Sequence, residues 1–410
     1  TYPTTVSISD GVFNSNAAVG LQVEAKGNVT LSYVNGSDNA WNGVYVDNCV
    51  WDGAKCSGTG TVTILNPYQA PMEFNWNGSA GIFSGLGIDS GGAVTMTGIS
   101  ASGNTGSGIE VNNRYPGKTG GVTFNVLPEI LTTSQQSMFI SNNDAGISIF
   151  SNGPVAVNGN LKFTIFVENN QAMGIRIGDS TYPTGSTVTI KGVDLVDNPV
   201  RSIVIYSKGT INLDSVWVNH ELSDDHYTAN TGIYVENLAG SGGVSIINAG
   251  AKYTGSYGIY IVSKGAVAIK NVSTYLTGLQ GIYVDNSSAV TAQPVTLTDI
   301  NVEYAHGNGV EIYSKGTVTL NGVNSYNHSG RSLPQYQSVD LTADAYTGTW
   351  FNFPGQIGAS ISITLSYSGS ANIRLVDTTT GANLLDANAT STYSSGAIML
   401  PSTGMYYLFV

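Results

Sequence analysis

The densest set of groups able to do chemistry is the run His220-Glu-Leu-Ser-Asp224-Asp225-His226. Imidazole and carboxylate both bind divalent metals, so His220, Asp224, Asp225 and His226 form a candidate metal site. Their spacing matches no established ligand motif, and a solvated loop is the competing reading. Asp224-Asp225 is also the chain's one adjacent Asp pair, and glycoside hydrolysis uses two carboxyl groups. No matching His or Arg-x-Lys motif follows it, and Arg114, Arg176 and Arg201 are far apart in sequence. A polysaccharide lyase or hydrolase is therefore an alternative without further support from the residues. Cys49 and Cys56 bracket a short segment and fit one small disulfide that clamps a surface loop. Free thiols, or half of a metal site, are the other readings. A disulfide would place the chain in an oxidising, extracellular setting.

Other residues recur instead of clustering. Tyr234, Tyr260 and Tyr283 each follow Gly-Ile, and Tyr45 follows Gly-Val. On adjacent strands about 4.8 Å apart they would form an aromatic row. Such a row is a candidate platform for sugar rings, or simply a set of cross-strand pairs that stabilise a sheet. Thr30, Thr63, Thr95, Thr123, Thr189, Thr296 and Thr319 would line a solvated strand face, interrupted by Ala156, Asn212, Ser245 and Ala268. Glu24, Asp47, Asp89, Glu236 and Asp285 fall at matching places without a calcium-binding repeat. No cofactor is expected, and a structural divalent cation has no motif behind it. Asn28, Asn35, Asn77, Asn271, Asn286, Asn327 and Asn388 stand in Asn-x-Ser/Thr triplets. They permit glycosylation, although a chain rich in Asn, Ser and Thr produces such triplets by chance.

These residues are positioned by a repeat. The phrase Gly, apolar, any, apolar appears as Gly20-Leu-Gln-Val23, Gly43-Val-Tyr-Val46, Gly108-Ile-Glu-Val111 and Gly146-Ile-Ser-Ile149. It returns at Gly174, Gly232, Gly258, Gly281 and Gly309, with variants at Gly85 and Arg201. A second strand such as Val62-Thr-Ile64 or Val318-Thr-Leu320 follows, then a weaker apolar pair such as Val193-Asp-Leu195. Period-2 alternation in three short strands describes one coil of a solenoid, and the coils bury their inward residues by stacking. Parallel strands connect right-handedly. The predicted fold is all-β: a right-handed parallel β-helix of about eleven coils over 1–330, then a small antiparallel β-sandwich over 331–410. The coils alternate between a tight Ser-Lys-Gly turn, as at Ser263-Lys-Gly265, and a longer loop, as from Asp47 to Thr61.

Composition limits the partners. Only 10% of residues are charged and the net charge is −12. Nucleic acids and anionic membrane surfaces, which attract clustered Lys and Arg, are disfavoured. No apolar run is long enough to cross a membrane as a helix. The chain starts at Thr1, without Met or a signal peptide, and reads as a mature or excised piece.

Residues 6 to 330 resemble the right-handed parallel β-helix repeats of the pectin-lyase-like superfold, above all those of long bacterial surface proteins. The Gly-Ile-Tyr-Val-Asp-Asn and Ser-Lys-Gly-Thr-Val-Thr-Leu phrases carry that resemblance. Residues 340 to 410 resemble the bacterial pre-peptidase C-terminal domain, through Asp344-Ala-Tyr346, Ile373-Arg-Leu375-Val-Asp377 and Gly404-Met-Tyr406. That family continues into one more strand, so a fragment, or a strand supplied by another subunit, is expected. The expected function is an extracellular structural or adhesive module of a long cell-surface, fibre or sheath protein, not an enzyme. Its expected partners are copies of itself, neighbouring domains and cell-surface glycans. A carbohydrate-binding adhesin using Tyr234, Tyr260 and Tyr283 is the alternative.

Overall fold

The computed structural model describes residues 2–51, 55–68, 70–126, 138–159, 165–220, 230–326, 350–355, 360–365, 371–389, 393–402 and 404–409. The recurrent Gly-apolar-x-apolar segments form one sheet of eleven parallel strands in sequence order, from Leu21–Glu24 to Val310–Tyr313. Each strand pairs with the same segment of the next repeat, so Ile259 sits opposite Ile282 and Tyr260 opposite Tyr283. The coil count read from sequence is therefore the strand count of this sheet.

A second parallel sheet, of sixteen strands, holds the rest of each coil. The sequence divides this part into two short strands. In the later coils they are one continuous strand of nine to eleven residues, as in Val188–Val196, Val244–Thr254 and Val295–Ala305. A residue in the left-handed region bends each strand without ending its pairing, and the three eleven-residue strands carry a second such bend, at Tyr253, Leu276 and Tyr304. Gly192, Ser215, Asn248, Asn271, Asp299 and Gly322 hold the first bend with φ from 51° to 61°. Pairing resumes on both sides, with Lys191 opposite Asp214 and Val193 opposite Val216. Gly, Asn and Asp tolerate this conformation best, because a larger Cβ substituent crowds the following carbonyl. The helix therefore has three faces built from two sheets.

The core is a set of columns along the axis. Val29, Val62, Val94, Val122, Val155, Val188, Ile211, Val244, Val267, Val295 and Val318 face one another in register, one per coil. All are buried. A β-branched side chain has restricted rotamers and packs well on a pleated surface, so valine serves ten coils and Ile211 the other. Each such burial contributes about 1.5–3 kcal/mol, available only when the neighbouring coil is in place.

The C-terminal part is antiparallel. Trp350–Gly355, Gly404–Phe409, Ala371–Asp377 and Asn383–Ala389 form a four-stranded sheet in that order, and Ser360–Leu365 pairs with Tyr393–Met399. Ile373, Leu375, Leu400, Tyr406 and Leu408 are buried. The Tyr406 hydroxyl donates to the Ser402 carbonyl at 2.6 Å, and Ser402 Oγ donates to Asp377 at 2.8 Å, which ties this end of the sheet together. The expected boundary at 330/331 and Asp344-Ala-Tyr346 lie outside the described residues.

Candidate functional site

The coil corners are held by side-chain hydrogen bonds that the strand pattern does not reveal. Asn16, Asn39, Asn77, Asn104, Asn142, Asn170 and Asn198 form a ladder along the axis. All but Asn16 are buried. Asn104 is typical. Its Oδ1 accepts from the backbone N and the Nδ2 of Asn77, both at 2.9 Å. Its Nδ2 donates to Asn142 Oδ1 at 2.7 Å and to the Phe74 carbonyl at 2.9 Å. Both ends of each amide are thereby satisfied in the interior, which is what makes burial tolerable.

In the coils that carry the ladder, the repeat glycine leaves room for it. A Cβ on Gly85 would lie 2.7 Å from Asn104 Nδ2, 2.5 Å from the Phe74 carbonyl oxygen and 2.9 Å from the Gly108 carbonyl oxygen. Gly43 has the same problem with Asn77 Nδ2 and the Gly85 carbonyl, each at 2.7 Å. From Gly20 to Gly174 the glycine at the start of the phrase is thus a packing requirement of the ladder, whereas Gly232 and Gly258 make room for a neighbouring carbonyl and for Ala251, Thr254 and Thr274.

The opposite corner explains the alternation of coil types. In tight-turn coils a serine hydroxyl accepts from the glycine N–H two residues on: Ser151 from Gly153 at 3.1 Å, and Ser207 from Gly209, Ser263 from Gly265 and Ser314 from Gly316 at 3.0 Å. In long-loop coils an asparagine spans the loop base. Asn113 Nδ2 donates to Gly92 and Gly120 carbonyls, and Asn286 Nδ2 to Gln293 at 2.9 Å. Asn286 is fully buried and Asn77 is 1% exposed. Neither triplet can accept a glycan, which corrects two of the glycosylation sites read from sequence. Asn28, Asn271 and Asn388 are exposed and Asn35 is half-buried, whereas Asn327 lies outside the described residues.

The cysteine loop also departs from expectation. Cys49 and Cys56 are buried free thiols, so no disulfide clamps the loop. The loop is held by Asp47, whose Oδ1 accepts from the N–H groups of Cys49 at 2.9 Å and Val50 at 2.7 Å. Cys56 Sγ donates to the Cys49 carbonyl at 3.4 Å. Burial pushes the Cys49 thiol upward, and a protonated thiol is a poor nucleophile. The placement in an oxidising compartment loses the support a disulfide would have given.

Of the proposed metal set only His220 is described, because Asp224, Asp225 and His226 lie outside the described residues. His220 is buried and joins the ladder instead. Its Nε2 is 2.5 Å from Asn230 Nδ2 and 3.3 Å from Ser202 Oγ, and Asn230 Nδ2 reaches the Asn198 carbonyl at 3.2 Å. Burial holds its pKa below the ordinary 6.5, against the opposing pull of Asp197 at 3.7 Å. The unfolded chain therefore binds the proton more readily. The stabilising contribution of neutral His220 is complete above about pH 6.5 and is lost as pH falls through the lower folded pKa. Urea midpoints from about pH 7.5 down to 5 should fall more steeply for the native chain than for His220→Gln. Parallel slopes would remove His220 from this account.

The outer face of the eleven-stranded sheet gathers residues from distant sequence positions. Glu24, Asp47 and Asp89 stack in register on three successive coils. Asp89 accepts from the hydroxyls of Tyr45 and Tyr115 and from Asn112 Nδ2 at 2.8 Å. Burial, then Asp89, raises both phenol pKa values. Among the described residues, no three of His, Cys, Asp and Glu converge as metal ligands. Farther along, Arg114 lies over Phe150 at 4.6 Å and Tyr182 at 4.4 Å, and Arg176 lies over Phe150 at 4.9 Å. Both guanidinium groups meet Asp179, at 3.7 and 3.5 Å. Sequence separation hid this pair, which only stacking of the coils brings together.

Next comes the tyrosine row. Tyr234 and Tyr260 stack at 5.0 Å with 6° between their planes, and Tyr260 and Tyr283 at 4.8 Å with 4°. Arg201 covers Tyr234 at 4.1 Å. Tyr257 meets Tyr260 edge-on at 4.9 Å and Tyr283 at 5.7 Å. Both faces of Tyr260 are thus occupied by other rings. A sugar approaching the row would meet ring edges and hydroxyls, not an open aromatic face. The threonine rows fall in register as expected, with Thr30 beside Thr63, Thr95 and Thr123.

Comparison with protein-family models, with curated proteins and with solved structures found no match. The geometry therefore carries the functional argument.

Proposed function

We propose that this chain is a stiff structural and adhesive segment of an extracellular protein, one that builds a cell-surface rod, fibre or sheath. The observation behind this reading is the unbroken register of eleven coils. Bending the helix would have to break backbone pairing in two sheets and open the buried column that starts at Val29, together with the asparagine ladder in the coils from Asn16 to Asn198. A protein interior packed this closely resists such deformation. At about 4.8 Å per coil, the stack forms a rod on the order of 50 Å long. The half-exposed strip of arginine and tyrosine along one face supports the adhesive part, because such side chains are enriched at contact surfaces. The reading includes the likeness of the coils to pectin-lyase-like surface repeats. It also includes the likeness of residues 340 to 410 to the pre-peptidase C-terminal domain.

Immuno-electron microscopy of producing cells tests the proposal. Label should follow surface filaments or a surface layer, and the purified native protein should image as rods or fibres. Label confined to the cytoplasm, or isolated compact globules, would overturn it.

A further inference from the structure

The occupied faces of the tyrosine row raise the question of what the row is for. Ring stacking alone needs no hydroxyl, and phenylalanine would serve a purely packing role. Yet Tyr206, Tyr234, Tyr257, Tyr260, Tyr283 and Tyr313 make an uninterrupted set of phenols. Tyr206 meets Tyr234 at 5.7 Å, and Tyr313 meets Tyr283 at 5.8 Å. Two hydroxyls are paired with carboxylates: Tyr234 donates to Glu236 at 3.0 Å and Tyr313 to Glu311 at 2.5 Å. A carboxylate in that position can take the phenolic proton as an electron leaves the ring. The Glu311 hydrogen bond, with burial, pushes Tyr313 up to about 12. At neutral pH the phenol is therefore protonated, and electron and proton must depart together.

We propose that this row is an oxidative cross-linking site, in which Tyr283 is joined covalently to Tyr257 or Tyr260 of the preceding coil. The oxidant is a peroxide acting through a peroxidase. Each of two phenols loses one electron and one proton, giving two phenoxyl radicals. A carbon–carbon bond forms between their ortho positions. The displaced ortho hydrogens then return to the oxygens as protons, restoring two phenols. The two electrons and two protons removed reduce one peroxide to two waters. Proximity sets the partner, since rings already in contact react as an intramolecular pair. The product is a covalent staple between consecutive coils. Its physiological setting rests on the extracellular reading above, but the chemistry does not.

Other tyrosines supply an internal comparison. Tyr68 and Tyr182 are more exposed, at 50% and 56%. Tyr33 with Tyr68, and Tyr275 with Tyr253 and Tyr304, meet nearly perpendicular, at 77° to 87°, without parallel overlap. The test treats the dilute purified protein with hydrogen peroxide and a haem peroxidase, then follows dityrosine fluorescence and maps cross-linked tryptic peptides. Lys264 and Lys270 separate Tyr257 and Tyr260 from Tyr283, so a link between the coils joins two peptides. The expected product is monomeric and joins those two peptides, with a mass loss of two hydrogens and with fragment ions that place the link on Tyr283 and on Tyr257 or Tyr260, because Tyr253 and Tyr275 lie in the same two peptides. Tyr283→Phe keeps a ring in the stack and should lower the yield several-fold, whereas Tyr407→Phe should leave it unchanged. Links found only between molecules, links confined to the perpendicular pairs, or an unchanged yield in Tyr283→Phe would overturn the proposal. None of these results bears on the cell-surface reading, which microscopy decides separately.

Discussion

Asn104→Ala is expected to lower the stability of the surrounding coils by about 4 kcal/mol, a large effect for one polar side chain. The substitution removes four hydrogen bonds: two accepted from Asn77, one donated to Asn142 and one donated to the Phe74 carbonyl. The main cost is what remains. The Asn77 backbone N–H loses its acceptor inside a dry corner, and an unsatisfied buried group costs about 1–3 kcal/mol. Asn77 Nδ2 keeps one partner, the Gly36 carbonyl at 2.9 Å, so it is only partly orphaned. Damage should be local, because each coil contacts its neighbours alone and long repeat arrays need not unfold as one unit. Amide hydrogen exchange is therefore the better measurement. Protection of the Asn77 and Asn142 amides should fall well before that of the coils near Val310. Thr95→Ala, on the outer face of the same region, is the comparison and should change stability by about 1 kcal/mol at most. A loss of under about 1 kcal/mol for Asn104→Ala would show that the ladder is a consequence of stacking and not a source of it.

That ladder marks the limit of what the sequence made legible. The strands were legible because glycine followed by alternating apolar residues recurs in ten of the eleven coils, with Ser202 in the glycine's place in the other, and period-2 alternation has one physical reading. The tyrosine row was legible for the same reason, since Tyr234, Tyr260 and Tyr283 hold one place in the phrase. Ladder asparagines are separated by 38, 27, 38, 28 and 28 residues from Asn39 to Asn198, because loops of different length intervene. A fixed period could not find them. The usable signal was local: Asn16, Asn39, Asn104, Asn142 and Asn170 each stand four residues before Gly20, Gly43, Gly108, Gly146 and Gly174.

The second set of corners was illegible for a different reason. Trp76, Tyr253, Leu276 and Tyr304 adopt φ between 49° and 58°, where bulky side chains are disfavoured by roughly 1–2 kcal/mol. Stacking of whole coils overrides that preference, and no local rule anticipates it. The arginine pair at Phe150 was hidden in the same way, since its partners meet only through the stack.

Gly85→Ala should cost about 2–3 kcal/mol although it adds one methyl group and needs no unusual backbone angle. The new Cβ would sit between Asn104 Nδ2 at 2.7 Å and the Phe74 carbonyl oxygen at 2.5 Å, two atoms that are hydrogen-bonded to each other. It therefore both overpacks the corner and pries apart a ladder bond. Gly243→Ala is the matching comparison: its Cβ would meet only the Ala266 carbonyl, at 3.2 Å, and the cost should be under about 1 kcal/mol, offset in part by a less flexible unfolded chain. The double variant Gly85→Ala/Asn104→Ala separates the two causes. With Asn104 already truncated, one clash and one hydrogen bond are gone, so the second substitution should cost about 1 kcal/mol less than it does alone. Rescue should be partial, because the Phe74 carbonyl and the Gly108 carbonyl oxygen at 2.9 Å belong to the backbone and cannot move without disturbing the next coil. Strict additivity of the two substitutions, measured by urea unfolding, would mean that the glycine is required by the backbone alone. A coupling of that size would instead tie the most visible feature of the sequence, the recurring glycine, to the asparagine that the sequence concealed.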